Sequence, residues 1–178
     1  MSEYQEDQWI EEHLTLPAKG FYVDVGCATP STDDSNTRFL RARGWDGIGI
    51  DANANYAEHW QTPFVAAIVS SQAVVPFEYR RIPTHSRVTG NVLFAATTLD
   101  RILRFFDAPT VDFLSLDVEG HEFEALQSLD MDRYRPKVII SEYSTEGIGD
   151  DFRVRDYLLA RGYAVVHQTK ANLIYALH

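Results

Sequence analysis

Seven short apolar runs punctuate the chain, and each is separated from the next by polar or amphipathic sequence. They are Phe21–Val25, Gly47–Asp51, Pro63–Ile68, Val111–Asp117, Lys137–Glu142, Tyr163–His167 and Leu173–Leu177. Several are apolar at consecutive positions rather than at alternate ones, the pattern of strands buried on both faces. Between them fall helical patterns. Leu99, Ile102, Leu103 and Phe106 repeat at i, i+3, i+4, i+7 behind a T-x-x-D cap formed by Thr97 and Asp100. Val154, Tyr157 and Leu158 mark another helix near 151–161. Two helices end alike, in LRARGW at 40–45 and LLARGY at 158–163, each with Arg in the last turn and Gly just past it. Strands alternating with helices predict a doubly wound α/β sheet. The last two runs, separated only by residues 168–172, predict an antiparallel hairpin.

With 178 residues the chain suits one domain, residues 1–178, with a helical extension over 1–20 in which Trp9, Ile10, His13 and Leu14 pack onto the body. Trp45, Trp60, Phe105 and Phe106 are assigned to the core. The polar stretch RRIPTHSRVTGNVL, 80–93, predicts a loop near a site, with His85, Arg80, Arg81 and Arg87 offering a grip on an anionic or sugar substrate, or simply a solvated face. A net charge of −10 argues against a nucleic-acid partner. One cysteine, Cys27, excludes an internal disulfide and reads as a packing residue. The acidic start and the absence of a run of about 20 apolar residues predict a soluble, cytoplasmic protein with no membrane partner.

The chemistry lies in the acids. Asp24, Asp51, Asp117 and Glu142 each stand at or near the end of an apolar run, and ligands of open α/β sheets bind beyond the carboxyl ends of the strands. Clustered carboxylates repel unless a cation, an ammonium group or hydroxyl donors compensate. The turn after the first run, CATPSTDD, follows a single glycine, Gly26, and carries Asp33 and Asp34. It is a poor cradle for a pyrophosphate, which needs a Gly-rich backbone at a helix start. S-adenosylmethionine has no phosphate and carries positive charge. Its ribose diol suits Asp51, 25 positions after Gly26, near the offset of ribose-binding acids.

The chain resembles the FkbM-type methyltransferases, a branch of the class I S-adenosylmethionine-dependent enzymes. The resemblance rests on FYVDVG at 21–26, DSNT at 34–37, GWDGIGIDAN at 44–53, TTLD at 97–100 and VDFLSLDVEGHEFEAL at 111–126, and it extends to the final NLIYAL. It implies a seven-stranded sheet of order 3-2-1-4-5-7-6 with one antiparallel strand, and methyl transfer to a hydroxyl of a sugar or other small metabolite. It also implies that Asp24 and Gly26 flank the methionine part of the cofactor, with Ser35 and Asn36 near its carboxylate. Asp51 takes the ribose hydroxyls, Asn53 lies close by, and Asp117 faces the reacting centre.

An alcohol nucleophile needs its proton removed or its oxygen polarised. Asp117, Glu119, His121 and Glu142 are the candidates, and Asp117 with Glu142 are candidate ligands for a shared Mg²⁺. Glu122 reads as a first-turn acid complementing a helix dipole. Two other readings stay open: a metal-dependent hydrolase using Asp117, Glu119 and Glu142, and a nucleoside-binding module without catalysis.

Overall fold

The computed structural model describes residues 5–30, 35–78, 87–145 and 149–177. The apolar runs at 21, 46, 64, 113 and 138 become parallel strands β1 (Phe21–Val25), β2 (Asp46–Asp51), β3 (Phe64–Ala66), β7 (Phe113–Leu116) and β8 (Val138–Glu142). The final hairpin supplies β11 (Tyr163–Gln168) and β12 (Asn172–Leu177), and β12 runs antiparallel to both β11 and β8. Together they form a seven-stranded sheet ordered β3-β2-β1-β7-β8-β12-β11.

Both faces of this sheet are covered, which explains the unbroken apolar runs. Val23, Ile50, Leu114, Ile139 and Tyr175 point into one cluster with Leu103 and Leu158; Tyr22, Phe113, Ile140 and Ile174 point into the other with Ile10, Leu40 and Trp60. Helix α1 (Glu6–His13) packs on the second face, where Trp9 stacks between His13 and His167 at 4.6 and 4.3 Å. Buried Glu6 accepts hydrogen bonds from Asn172 Nδ2 at 2.8 Å and Thr169 Oγ1 at 3.1 Å. Gly44 and Gly162 adopt φ of 75° and 85° just beyond α2 (Arg38–Ala42) and α5 (Arg153–Leu159), so the paired helix endings are left-handed caps.

Three expectations are corrected. The stretch 80–93 is not all loop. Strands β5 (Val74–Glu78) and β6 (Arg87–Thr97) pair antiparallel, and β4 (Ile68–Val69) joins β6 in a three-stranded side sheet. The β-branched and aromatic content of VLFAAT outweighs the polar residues before it. His85, Arg80 and Arg81 lie outside the described residues, as does the side chain of Arg87. The run at 63–68 is split: only Phe64–Ala66 joins the large sheet, and Ile68 has already crossed to the side sheet. Finally, α3 (Leu99–Phe105) is capped by Thr98, whose Oγ1 accepts from Arg101 N at 3.1 Å, while Thr97 still belongs to β6. A further two-stranded sheet, β9 (Ser144–Thr145) with β10 (Gly149–Asp150), follows β8. Among the described residues no helix is long and apolar enough to cross a membrane.

Candidate active site at the carboxyl ends of the strands

The turn after β1 is fixed by backbone contact with its neighbours. Gly26 N donates to Ile50 O at 2.8 Å, and Asp117 N donates to Val25 O at 3.0 Å. Gly26 has φ 82°, and a Cβ there would stand 1.6 Å from the carbonyl oxygen of Asp117. Only glycine lets the β1 turn lie against the end of β7.

Asp24 is 3% exposed and is compensated from within. Its Oδ2 accepts from Thr37 Oγ1 at 2.5 Å and lies 3.9 Å from Arg41 Nη1. Burial raises the Asp24 pKa; the Thr37 hydroxyl and the Arg41 charge pull the other way. Arg41 also donates to Ser35 Oγ at 3.0 Å and to Pro30 O at 2.9 Å, so one guanidinium ties both sides of the turn to β1. Ser35 and Asn36 are buried there, just before α2. Thr37 and Arg41 were not singled out in the sequence as residues that hold this turn. Thr37 lies inside the quoted DSNT motif, and Arg41 follows at i+4, the spacing that brings both onto one helix face. Asp33 and Asp34 lie outside the described residues.

Asp51 is held differently. Its Oδ2 accepts from Ala28 N at 3.0 Å and its Oδ1 from Asn53 N at 2.8 Å. Burial raises its pKa, partly offset by those two amides. Asn53 in turn caps the 3-10 helix Ala54–His59, accepting from Asn55 N. Trp60 steadies the same turn, its Nε1 donating to Ala28 O at 2.8 Å. Cys27 is buried, and burial with the nearby Asp24 and Asp51 charges pushes its thiol pKa up, which makes it unreactive.

At the end of β7, Glu119 and Gly120 take φ of 58° and 93°. The turn is held by Glu122, the first residue of α4 (Glu122–Gln127), whose Oε1 accepts from Val118 N at 2.8 Å and Gly120 N at 3.2 Å. Glu122 is only 3% exposed, and burial pushes its pKa up to about 7 against those amides. It is a first-turn acid of α4 that also clamps the turn before the helix.

The clamp presents Asp117, whose pKa lies well above the usual carboxylate range. Burial is the main cause, followed by the charges of Glu142, Glu122, Glu119 and Asp24. Among the described residues no hydrogen bond or ion pair engages the Asp117 carboxylate. Glu142, at the end of β8, accepts from Thr145 Oγ1 at 2.8 Å. His121 is buried, with Nε2 3.0 Å from Ser70 Oγ and Nδ1 3.6 Å from Glu124, which is itself paired with Arg153 at 2.6 Å. Burial lowers its pKa. Among the described residues no group of three or more His, Cys, Asp or Glu side chains is placed to hold a metal ion. Asp117 and Glu142 are two carboxylates and make no such group by themselves.

The aromatic assignments divide. Trp45 and Trp60 are buried, but Phe105 is 82% exposed and Phe106 37%, so neither phenylalanine is core. Phe105 is the last residue of α3 and Phe106 its C-cap.

A mostly parallel seven-stranded sheet with acids at the ends of β1, β2, β7 and β8 defines a methyltransferase-like α/β fold. The family model of the methyltransferase FkbM domain matches residues 24–165, and the chain belongs to that family. The crystal structure of methyltransferase FkbM from Methylobacillus flagellatus superposes with a TM-score of 0.62 at 13% identity, over 93% of this chain and 45% of that one. This chain thus spans less than half the length of that protein. A TehB-like SAM-dependent methyltransferase from Corynebacterium glutamicum superposes with a TM-score of 0.53 at 14% identity, over 99% of this chain and 89% of that one. No curated protein matches the chain.

Proposed function

We propose that the chain is an S-adenosylmethionine-dependent O-methyltransferase acting on a hydroxyl of a sugar or other small metabolite. The large sheet, ordered β3-β2-β1-β7-β8-β12-β11, supports the reading. The observation that carries the reading is the contrast between two carboxylates. Asp51 is locked by two amides as a fixed acceptor for paired hydroxyls, whereas half-buried Asp117 stands among acids and, among the described residues, has no donor of its own.

Both features fit this cofactor, because a ribose diol donates to Asp51 and a positive charge offsets the acids around Asp117. When bound, the cofactor supplies an electrophilic methyl group on a sulfonium. Asp24, Gly26, Ser35 and Asn36 form the turn that holds its amino-acid end, and Asn53 sits beside the ribose. Asp117 takes the acceptor's hydroxyl proton. A cation nearby offsets the surrounding acids and favours its ionised form, the form that accepts the proton. Glu142 orients the acceptor. His121, engaged at both ring nitrogens, supports the clamp turn in place of acting as the base. The hydroxyl acceptor is what the family resemblance implies.

The test is calorimetric titration with S-adenosylhomocysteine, with NAD as the control. The folded protein binds the first and not the second, and Asp51→Ala, with its thermal transition retained, loses binding. No binding by the folded protein, or unchanged affinity in Asp51→Ala, overturns the cofactor assignment. Formation of S-adenosylhomocysteine with a panel of sugars tests catalysis; none across a broad panel favours a binding module.

A further inference from the structure

A cleft of about 400 Å³ opens between the edge strand β3 and α3. Its walls are Phe64 and Val65 of the strand and Ile102, Phe105 and Phe106 of the helix side, with Arg101 on the same lining. The rings of Phe105 and Phe106 meet edge to face at 5.1 Å and remain exposed to solvent. The volume lies in the range of small-ligand sites, and an exposed aromatic pair beside an apolar cleft marks an interaction surface.

The charge on the lining narrows the occupant. Two arginines lie on α3, and they are treated differently. Arg104 is paired with Asp100 at 2.7 Å and with Asp130 at 3.6 Å. Arg101 is exposed, and among the described residues its guanidinium has no hydrogen bond or ion pair. In a chain of net charge −10, an unpaired guanidinium over an apolar wall selects an anion that also carries hydrocarbon.

We propose that this cleft binds an amphipathic anion: an aliphatic or aromatic body of roughly a dozen non-hydrogen atoms, the number that its volume admits, carrying one carboxylate or phosphate. The body lies against Phe64, Val65, Ile102 and Phe105, and the anionic head meets Arg101. The inference does not depend on the methyltransferase reading, since none of the four strand-end acids lines the cleft.

The probes are decanoate, decyl phosphate and decanol, titrated below micelle formation into the wild type, Arg101→Gln and Phe105→Ala. Both substitutions are at exposed positions, and circular dichroism checks that each variant folds. Saturable binding of decanoate or decyl phosphate is expected, the tighter of the two identifying the head group. Decanol to the wild type, and either anion to Arg101→Gln, should bind roughly tenfold more weakly, the worth of one charge-assisted hydrogen bond. Phe105→Ala should weaken all three. S-adenosylhomocysteine affinity should be unchanged in Arg101→Gln, so that failure here is separable from failure of the cofactor assignment. The proposal is overturned if decanol matches decanoate and Arg101→Gln changes nothing, or if no probe saturates. It is also overturned if sedimentation reveals a dimer that Phe105→Ala dissociates, which would make the face a contact between two copies.

Discussion

Arg41 illustrates how a single side chain is reread once its neighbours are known. In sequence it is a cation in the last turn of a short helix, suited to the helix dipole. In the fold it reaches back to Thr37, Ser35, Pro30 and the buried Asp24. Removing one member of such a pair leaves an uncompensated charge. Arg41→Met should therefore lower stability by about 3 kcal/mol at neutral pH. The loss should shrink at acid pH, where the Asp24 carboxyl takes a proton, and Asp24→Asn in the same chain should recover part of it. Denaturant unfolding of the two single variants and the double variant measures this; equal losses at both pH values would mean that Arg41 acts through packing on Trp60, 4.8 Å from its guanidinium carbon, and not through charge.

The turn between β7 and α4 carries its own prediction at the scale of the element. Glu122 goes from an ordinary carboxylate value of 4.5 in the unfolded chain to about 7 in the fold. The folded state thus holds the proton more tightly. Its contribution to stability is complete below pH 4.5 and is lost as pH rises toward 7, by at most about 3 kcal/mol. Gln keeps a carbonyl acceptor for Val118 and Gly120 but cannot ionise. Glu122→Gln should therefore be more stable than wild type at pH 8, and the gap should close as the pH falls to 4.5. Asp24, Asp51 and Asp117 shift in the same direction and leave a residual slope in both proteins. Thermal denaturation across this range decides it; parallel curves would remove Glu122 as a titrating clamp. In sequence the residue was legible only as a first-turn acid, because the amides it accepts from belong to a turn whose left-handed residues no pattern announces.

On the scale of the whole molecule, α1 is part of one cooperative unit. Ile10 is fully buried in the cluster that also holds Tyr22, Phe113 and Ile174, residues from strands far apart in the chain. Ile10→Ala should cost about 3 kcal/mol and move the entire unfolding transition, not split it. A separate early transition, seen by calorimetry, would make the N-terminal helix an appendage. The seven apolar runs and their strand-end acids were readable because burial on both faces forces continuous apolar residues, and because the ligand edge of such a sheet is fixed by strand direction. Asp51, Gly26 and Asp117 were placed at that edge for that reason, and they lie there. The side sheet of β4, β5 and β6, the inward role of Arg41 and the engagement of His121 by Ser70 were not. Each depends on contacts between segments whose spacing in the chain carries no period. Phe105 and Phe106 fit a helical apolar stripe, yet in the fold both face water. Local periodicity determined which elements form and where their acids fall; the tertiary structure alone decided which charges are compensated, since pairing is a matter of distance in space.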